Sequence, residues 1–249
     1  MKSKPLWGMI AGMWLAGAGA VAAAGTPDWQ VELVPSLWVA GLSGDGTLNG
    51  REVDYDRSSG DLLDHLEAGG SLAGKVVWNR IAIAGQIDGY RLSTDALKVD
   101  GAPLDGQMDT DMVFGELAAG YVFRGWKEGQ TFTLALGARH AHISNDLEIN
   151  GTGTFHHGQD RWDPMIILWP SLPLLASKIQ GLSLAPAFSI GGGGDSELVY
   201  ELFPQLRYQV TEHVVARFGY RSVGYRTESG ANELDFELAG FIAGLGATF

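Results

Sequence analysis

The sequence predicts an all-β fold, an antiparallel up-and-down transmembrane β-barrel of about ten strands, with eight or twelve left open by one ambiguous segment. Three observations predict it. Beyond Gly25, apolar and polar residues alternate with the two-residue period of a strand. The alternating segments are mostly about 10–14 residues long, whereas a tilted membrane-crossing strand needs roughly 9–11 and a soluble strand is usually about 5–6. The connections also alternate between short and long, which in outer-membrane barrels separates periplasmic turns from outer loops.

The chain opens with Lys2 and Lys4, followed by an apolar and small-residue run from Leu6 to Ala24 that ends Ala22-Ala23-Ala24. This is the layout of a cleavable secretory signal. A retained membrane anchor is the competing reading. The second half of the run is mostly Ala and Gly, which suits processing and is not required for anchoring. The expected organisation is therefore a signal peptide over 1–24 and a barrel over 25–249, with cleavage after Ala24.

Ten strands are expected at 29–42, 67–78, 81–93, 110–123, 130–143, 163–174, 181–191, 198–209, 214–226 and 234–249. Short turns fall at Asn79-Arg80, 124–129, 175–180 and 210–213; long polar loops are expected at 43–66, 94–109 and 144–162. The run Gly191–Gly194 reads as a tight hairpin. In the eighth segment Tyr200, Leu202, Pro204, Leu206 and Tyr208 share one face, and Glu201, Phe203, Gln205, Arg207 and Gln209 the other. The first face is expected to meet lipid. A soluble sandwich would place its apolar face inward, and period two alone does not separate the cases. Aromatic residues do: Trp29, Trp78, Tyr121, Phe123, Phe132, Tyr208 and Phe249 all fall at expected periplasmic strand ends, as the girdle of a barrel requires. Two segments fit less well. The sixth carries Pro164, Pro170 and Pro173, and proline lacks a ladder donor. In the tenth, Asp235 and Glu237 share parity with Phe241 and Phe249, so either a bulge near Ala239-Gly240 shifts the phase or these acids stand above the lipid.

Composition narrows the function classes. With no Cys the chain holds no disulfide and no thiolate metal site. The net charge is −12, and loss of Lys2 and Lys4 with the signal makes it two units more negative. That balance argues against nucleic acid as a partner, because phosphate contacts need a basic surface.

The inward faces are expected to carry Glu32, Glu67, Asp88, Glu116 and Glu201 against Lys75, Arg139, Arg207, Arg217 and Arg221. Charges in a narrow barrel are costly unless paired, and ten strands enclose little space. The set reads as a paired network that largely plugs a polar lumen; an ion-conducting constriction is the alternative, weakened because selective pores usually carry rings of one sign. Arg207, Arg217 and Arg221 should sit close together, with Glu201 or Glu32 between them. The acids Asp45, Glu52, Asp54, Asp56, Asp61, Asp64, Asp95, Asp100, Asp105 and Asp109 read as solvated loop charges, since no calcium-loop spacing is present. His140, His142, His156 and His157 likewise read as a solvated cluster without zinc-site spacing. No metal and no cofactor is expected. A protease-like rim would need paired acids, for which Asp54 and Asp56 could serve, and an Asp–His pair; no Asp-x-His occurs. His142 and Ser144 are too common a spacing to signal a lipid hydrolase. The chain reads as a non-enzyme, with a narrow channel as the first alternative and a rim enzyme as the second.

Several short motifs occur in a telling order: Val34-Pro35-Ser36-Leu37-Trp38, Trp162-Asp163-Pro164, Gly191 to Ser196, Phe218-Gly219-Tyr220-Arg221, and the ending Gly244 to Phe249. Together they resemble a widespread, uncharacterised family of proteobacterial outer-membrane β-barrels. The resemblance covers most of the mature chain. It departs after the Asp-Pro, where the family tends to have Gly and Arg and this chain has Ile167 and Trp169. It implies an outer-membrane location in a Gram-negative bacterium and no established activity. The amphipathic last strand with Phe241, Leu245 and the terminal Phe249 looks like the signal read by the barrel assembly machinery. Implied partners are that machinery, outer-membrane lipid and lipopolysaccharide.

Overall fold

The computed structural model describes residues 29–48, 51–57, 69–99, 102–149, 153–174, 179–229 and 232–249. The expected signal peptide and Glu67 lie outside them. The strands are β1 (Trp29–Leu48), β2 (Arg51–Arg57), β3 (Gly69–Trp78), β4 (Ile81–Val99), β5 (Ala102–Arg124), β6 (Thr131–Ile149), β7 (Gly153–Pro173), β8 (Leu182–Leu184), β9 (Ala187–Gly191), β10 (Leu198–Phe203), β11 (Gln205–Gln209), β12 (Val214–Ser229) and β13 (Asn232–Thr248). Short β8 and β9 together form one wall position, as do β10 and β11. β13 pairs with β1, so the wall closes as a ten-stranded antiparallel barrel. β2 hangs beyond the ring, paired to the upper part of β1.

One expectation is corrected. The segments read as long loops are mostly strand. β4 and β5 remain paired to Val99↔Ala102, and β6 and β7 to Ile149↔Gly153, while β1 continues to Leu48 against β2. The expected strand ends mark where the apolar alternation stops. Backbone pairing needs no lipid-facing residues, so the hairpins continue past that point.

The proline-rich segment is a full wall strand, and its breaks lie beside it. β9 pairs with Met165–Leu168 of β7 and β8 with Leu172 and Pro173. Pro164 and Pro170 therefore fall where β7 has no ladder partner on that side, which is where a missing donor costs least. Ala185-Pro186 separates β8 from β9, and Pro204 separates β10 from β11 at the neighbouring position. The seam is closed by single bonds: Ala185 N donates to Gln205 O at 2.9 Å and Tyr220 N to Pro204 O at 3.1 Å.

The phase of β13 is continuous. Its register runs unbroken from Val214↔Ala247 to Ser229↔Asn232 on β12, and without a shift on β1. No bulge exists there, so Asp235 and Glu237 keep the outward parity of Phe241 and stand above the apolar band.

Outward residues of the middle wall are apolar and exposed, among them Leu37, Leu117, Leu136, Ile166, Leu202, Leu206 and Leu245. At the short-turn end Trp29 stacks on Trp78 with centroids 5.6 Å apart, Tyr121 meets Phe123 edge-on at 4.9 Å, and Phe132 meets Trp126 at 5.6 Å. At the other end the outward face turns ionic. Arg91 grips Asp111 through two bonds of 2.6 and 2.9 Å, Arg226 binds Asp235 at 2.8 and 3.0 Å, and Tyr200 Oη donates to Glu237 at 2.7 Å. An apolar belt between an aromatic rim and an ionic rim is the profile of a barrel wall crossing a bilayer.

Candidate functional site

The lumen is the first place to look for chemistry. Its side chains lie in layers because inward residues alternate along every strand. At the short-turn end Glu32 of β1 accepts from Arg207 of β11 through Nε at 2.9 Å and Nη2 at 2.8 Å, and from Arg217 Nη2 of β12. Lys75, directly across from Glu32 on β3, sits 5.2 Å from the centroid of the Trp169 ring. Gln209 also accepts from Arg207 Nη2 at 2.7 Å.

The next layer is more deeply buried, with Glu116 partly exposed. Arg139 of β6 donates to Glu116 from Nε at 3.0 Å and Nη2 at 2.5 Å, to Ser189 Oγ at 3.2 Å, and to Glu201. Glu201 also accepts from Arg221 at 3.0 and 3.1 Å. Arg221 reaches Asp88 at 2.9 Å, and its guanidinium lies 4.4 Å from the centroid of the Trp38 ring. Gln86 Nε2 holds both oxygens of Asp88 at 3.0 and 3.1 Å. The chain of groups Glu116, Arg139, Glu201, Arg221 and Asp88 thus crosses the barrel from β5 and β6 to β12 and β4.

Above it the lumen is apolar. Trp38, Tyr90, Met112, Phe114, Val199, Val223, Tyr225, Phe236 and Leu238 belong to one buried cluster, which continues past the ionic layer through Met165 and Ile167. Tyr225 stacks between Phe114 and Phe236, with centroids 5.8 and 5.1 Å away. The sequence reading anticipated a polar plug and missed this cap. Its signal was present, since these residues have inward parity, but an aromatic on a barrel strand suggests a girdle first. Ile167, where the resembled family tends to have Gly or Arg, is buried opposite Ser189, at the level of the ionic layer and not in the cap.

Tyr90 has a second task. Among the described residues the β1–β3 ladder ends at Trp38↔Gly69. Tyr90 Oη donates to Trp38 O at 2.6 Å and accepts from Ala40 N at 2.9 Å. It pairs two backbone groups of β1, as buried backbone groups require. Gly69 makes room for it, because a Cβ there would fall on the Tyr90 ring.

The motifs of the resemblance meet in space. The turn after Gly191 folds onto β7: Asp195 Oδ2 accepts from Trp162 N at 2.8 Å, Asp195 N donates to Trp162 O at 3.1 Å, and Ser196 N donates to Asp163 Oδ1 at 2.9 Å. A Cβ on Gly194 would collide with the Trp162 carbonyl. Arg221 meets Trp38 as described, and Gly244 leaves space for Ser36. Phe241, Leu245 and Phe249 all lie exposed on the outward face.

The outer rim holds a group that local spacing did not reveal. Asp160 of β7 stands directly across from His142 of β6; its Oδ1 lies 2.8 Å from His142 Nδ1 and 3.1 Å from His140 Nε2. His140 packs on Trp162 with centroids 4.5 Å apart. Asp160 lies beyond the apolar belt, and hydrogen bonding to His142, then to His140, holds its carboxyl below the usual range. An Asp–His pair is therefore present across two strands and not within one. Among the described residues no group of three ligating side chains is arranged to hold a metal. The side chains of Asp54, Asp56, His156 and His157 lie outside the description.

No family model matches the chain, and no curated protein matches its sequence. Solved structures do. The chain is similar to the outer membrane protease OmpT of Escherichia coli at 12% identity and a TM-score of 0.59, over 92% of this chain and 99% of that one. The fold is that of an outer-membrane β-barrel. Looser likenesses are to Neisserial surface protein A, at 13% identity and TM-score 0.37 over 91% of this chain and 100% of that one, and to the attachment invasion locus protein Ail of Yersinia pestis, at 14% and 0.35 over 88% and 99%.

Proposed function

We propose that this chain is an integral protein of a Gram-negative outer membrane, exported by its N-terminal signal, and that it serves there as a closed scaffold presenting its hairpins to the outside. The observation that carries this reading is the filled lumen: a buried Arg–carboxylate layer beneath a buried aromatic cap. Orientation follows from the short turns, which face the periplasm in such barrels. β4 then extends from Arg91 to Val99 beyond the belt, roughly 25 Å at about 3.3 Å per residue. Lipopolysaccharide and lipid surround the wall, and the barrel assembly machinery reads the face carrying Phe241, Leu245 and Phe249. The motif order supports membership of the resembled barrel family. Single-channel recording on the refolded mature protein tests the reading. Silence is the expected result; steady openings would replace the scaffold by a channel.

A second reading is favoured by one observation, the Asp160–His142 pair at the rim. A carboxylate-oriented imidazole is what water activation needs, and the similar barrel OmpT is named as a protease. Turnover assays on peptides and lipid A, with Asp160→Asn as control, test it. Loss of turnover in that variant would support the enzyme, and absence of turnover in the wild type would remove it.

A further inference from the structure

Among the described residues the inward charges are shared unevenly between the layers. The buried layer has Arg139 and Arg221 against Glu116, Glu201 and Asp88. The short-turn layer has Lys75, Arg207 and Arg217 around Glu32, which among the described residues is the one carboxylate paired there. Arg207 and Arg217 face each other directly across the β11–β12 ladder, and like charges in that position repel. Glu32 already accepts from both, so its capacity for Lys75 is largely taken. Glu212, on the turn below, reaches this region through its backbone carbonyl, which accepts from Thr248 Oγ1 at 3.0 Å.

The layer is also open. Arg207 and Arg217 side chains are 19% and 21% exposed, against 3% and 4% for Arg139 and Arg221. Just above it lies a void of about 20 Å³ lined by Arg217, Ser36, Ser71 and Gln86 among others, large enough for one water-sized atom. Arg217 Nε is buried and donates to no protein acceptor.

We propose that the periplasmic mouth of the barrel is a binding site for a small soluble oxyanion of the phosphate class, held by Lys75, Arg207 and Arg217. The anion supplies the negative charge that this layer lacks, and bidentate guanidinium–oxyanion bonds suit it. One of its oxygens reaches the void beside Ser36 and Ser71. All three cations have inward parity, so the ligand comes from water at the mouth and not from lipid phosphate on the wall. The proposal rests on the closed-scaffold reading only for which side the ion enters.

The test is thermal unfolding of the refolded mature barrel in non-ionic detergent, titrated with inorganic phosphate while sodium chloride keeps the ionic strength constant. Phosphate should raise the unfolding temperature saturably. Lys75→Gln and Arg207→Gln should each raise the half-saturating concentration at least tenfold. Lys75→Glu, which adds the absent carboxylate, should fold and lose the response. Identical responses in wild type and Lys75→Gln, or a phosphate effect no larger than that of chloride, would overturn the site: the excess charge would then be solvated by water alone. Conductance is read separately, so an open channel would not by itself decide this question.

Discussion

Arg139 and Arg207 are both inward arginines bound to carboxylates, yet they should behave differently. Arg139 is buried and serves two acids, Glu116 and Glu201; its loss takes the one arginine that Glu116 has among the described residues, while Glu201 keeps Arg221. Breaking such a buried pair costs about 3–5 kcal/mol. Arg207 is partly solvated, and its acid Glu32 keeps Arg217. Urea unfolding of refolded variants should show a much larger loss for Arg139→Ala than for Arg207→Ala; equal losses would mean that water reaches the Arg139 layer. A cycle combining Arg139→Ala with Glu116→Ala should recover part of the loss, because the acid that Arg139 leaves unpaired is then gone as well. At this scale the sequence shows which charges point inward, since parity decides it. It does not show who pairs with whom. Glu32 and Arg207 are separated by 175 positions, and only closure of β13 on β1 brings them together. The Asp160–His142 pair is hidden for the same reason, because its members lie on different strands of one hairpin and local spacing does not register them.

Along β6, Leu136 and His142 both face outward and differ only in height. An arginine at a lipid-facing midplane position costs roughly 2–4 kcal/mol, falling to about 0–1 near the interface. Leu136→Arg should therefore sharply reduce the fraction that refolds into bilayers, read by heat-modifiable gel mobility, while His142→Arg should refold nearly as the wild type. Comparable failure of both would place the hydrocarbon edge above His142 and remove the ionic rim from the headgroup region. The lower strand ends were legible because turn residues and aromatics mark them: Asn79 takes the left-handed conformation that asparagine tolerates, and Trp29 and Trp78 flank it across the ladder. The upper ends were not, because the lipid alternation stops there while the backbone ladder goes on. Proline misled in the same way. Pro164 reads as a strand breaker until the β7–β9 ladder is seen to begin at Met165, one residue later.

For the whole molecule, the closed-scaffold reading gives the described lumen a double barrier to flow. The upper barrier is the aromatic stack of Phe114, Tyr225 and Phe236, an apolar constriction that excludes water and ions. The lower is the chain of ion pairs from Glu116 to Asp88, which fills the cross-section and holds its charges to one another. Barriers in series each suffice to stop current, so removing one should leave the other in control. Tyr225→Ala would open a cavity in the cap, at a stability cost of about 3–5 kcal/mol by comparison with other large aromatic truncations. Arg221→Ala would break the ionic chain and uncover the Trp38 ring. Each single variant, once shown by gel mobility to be folded, should remain silent in planar bilayers, and the double variant should conduct. Conductance in Tyr225→Ala alone would show that ions pass the Arg139–Glu201–Arg221 layer freely, and the lumen would then be sealed by its aromatic cap and by nothing else.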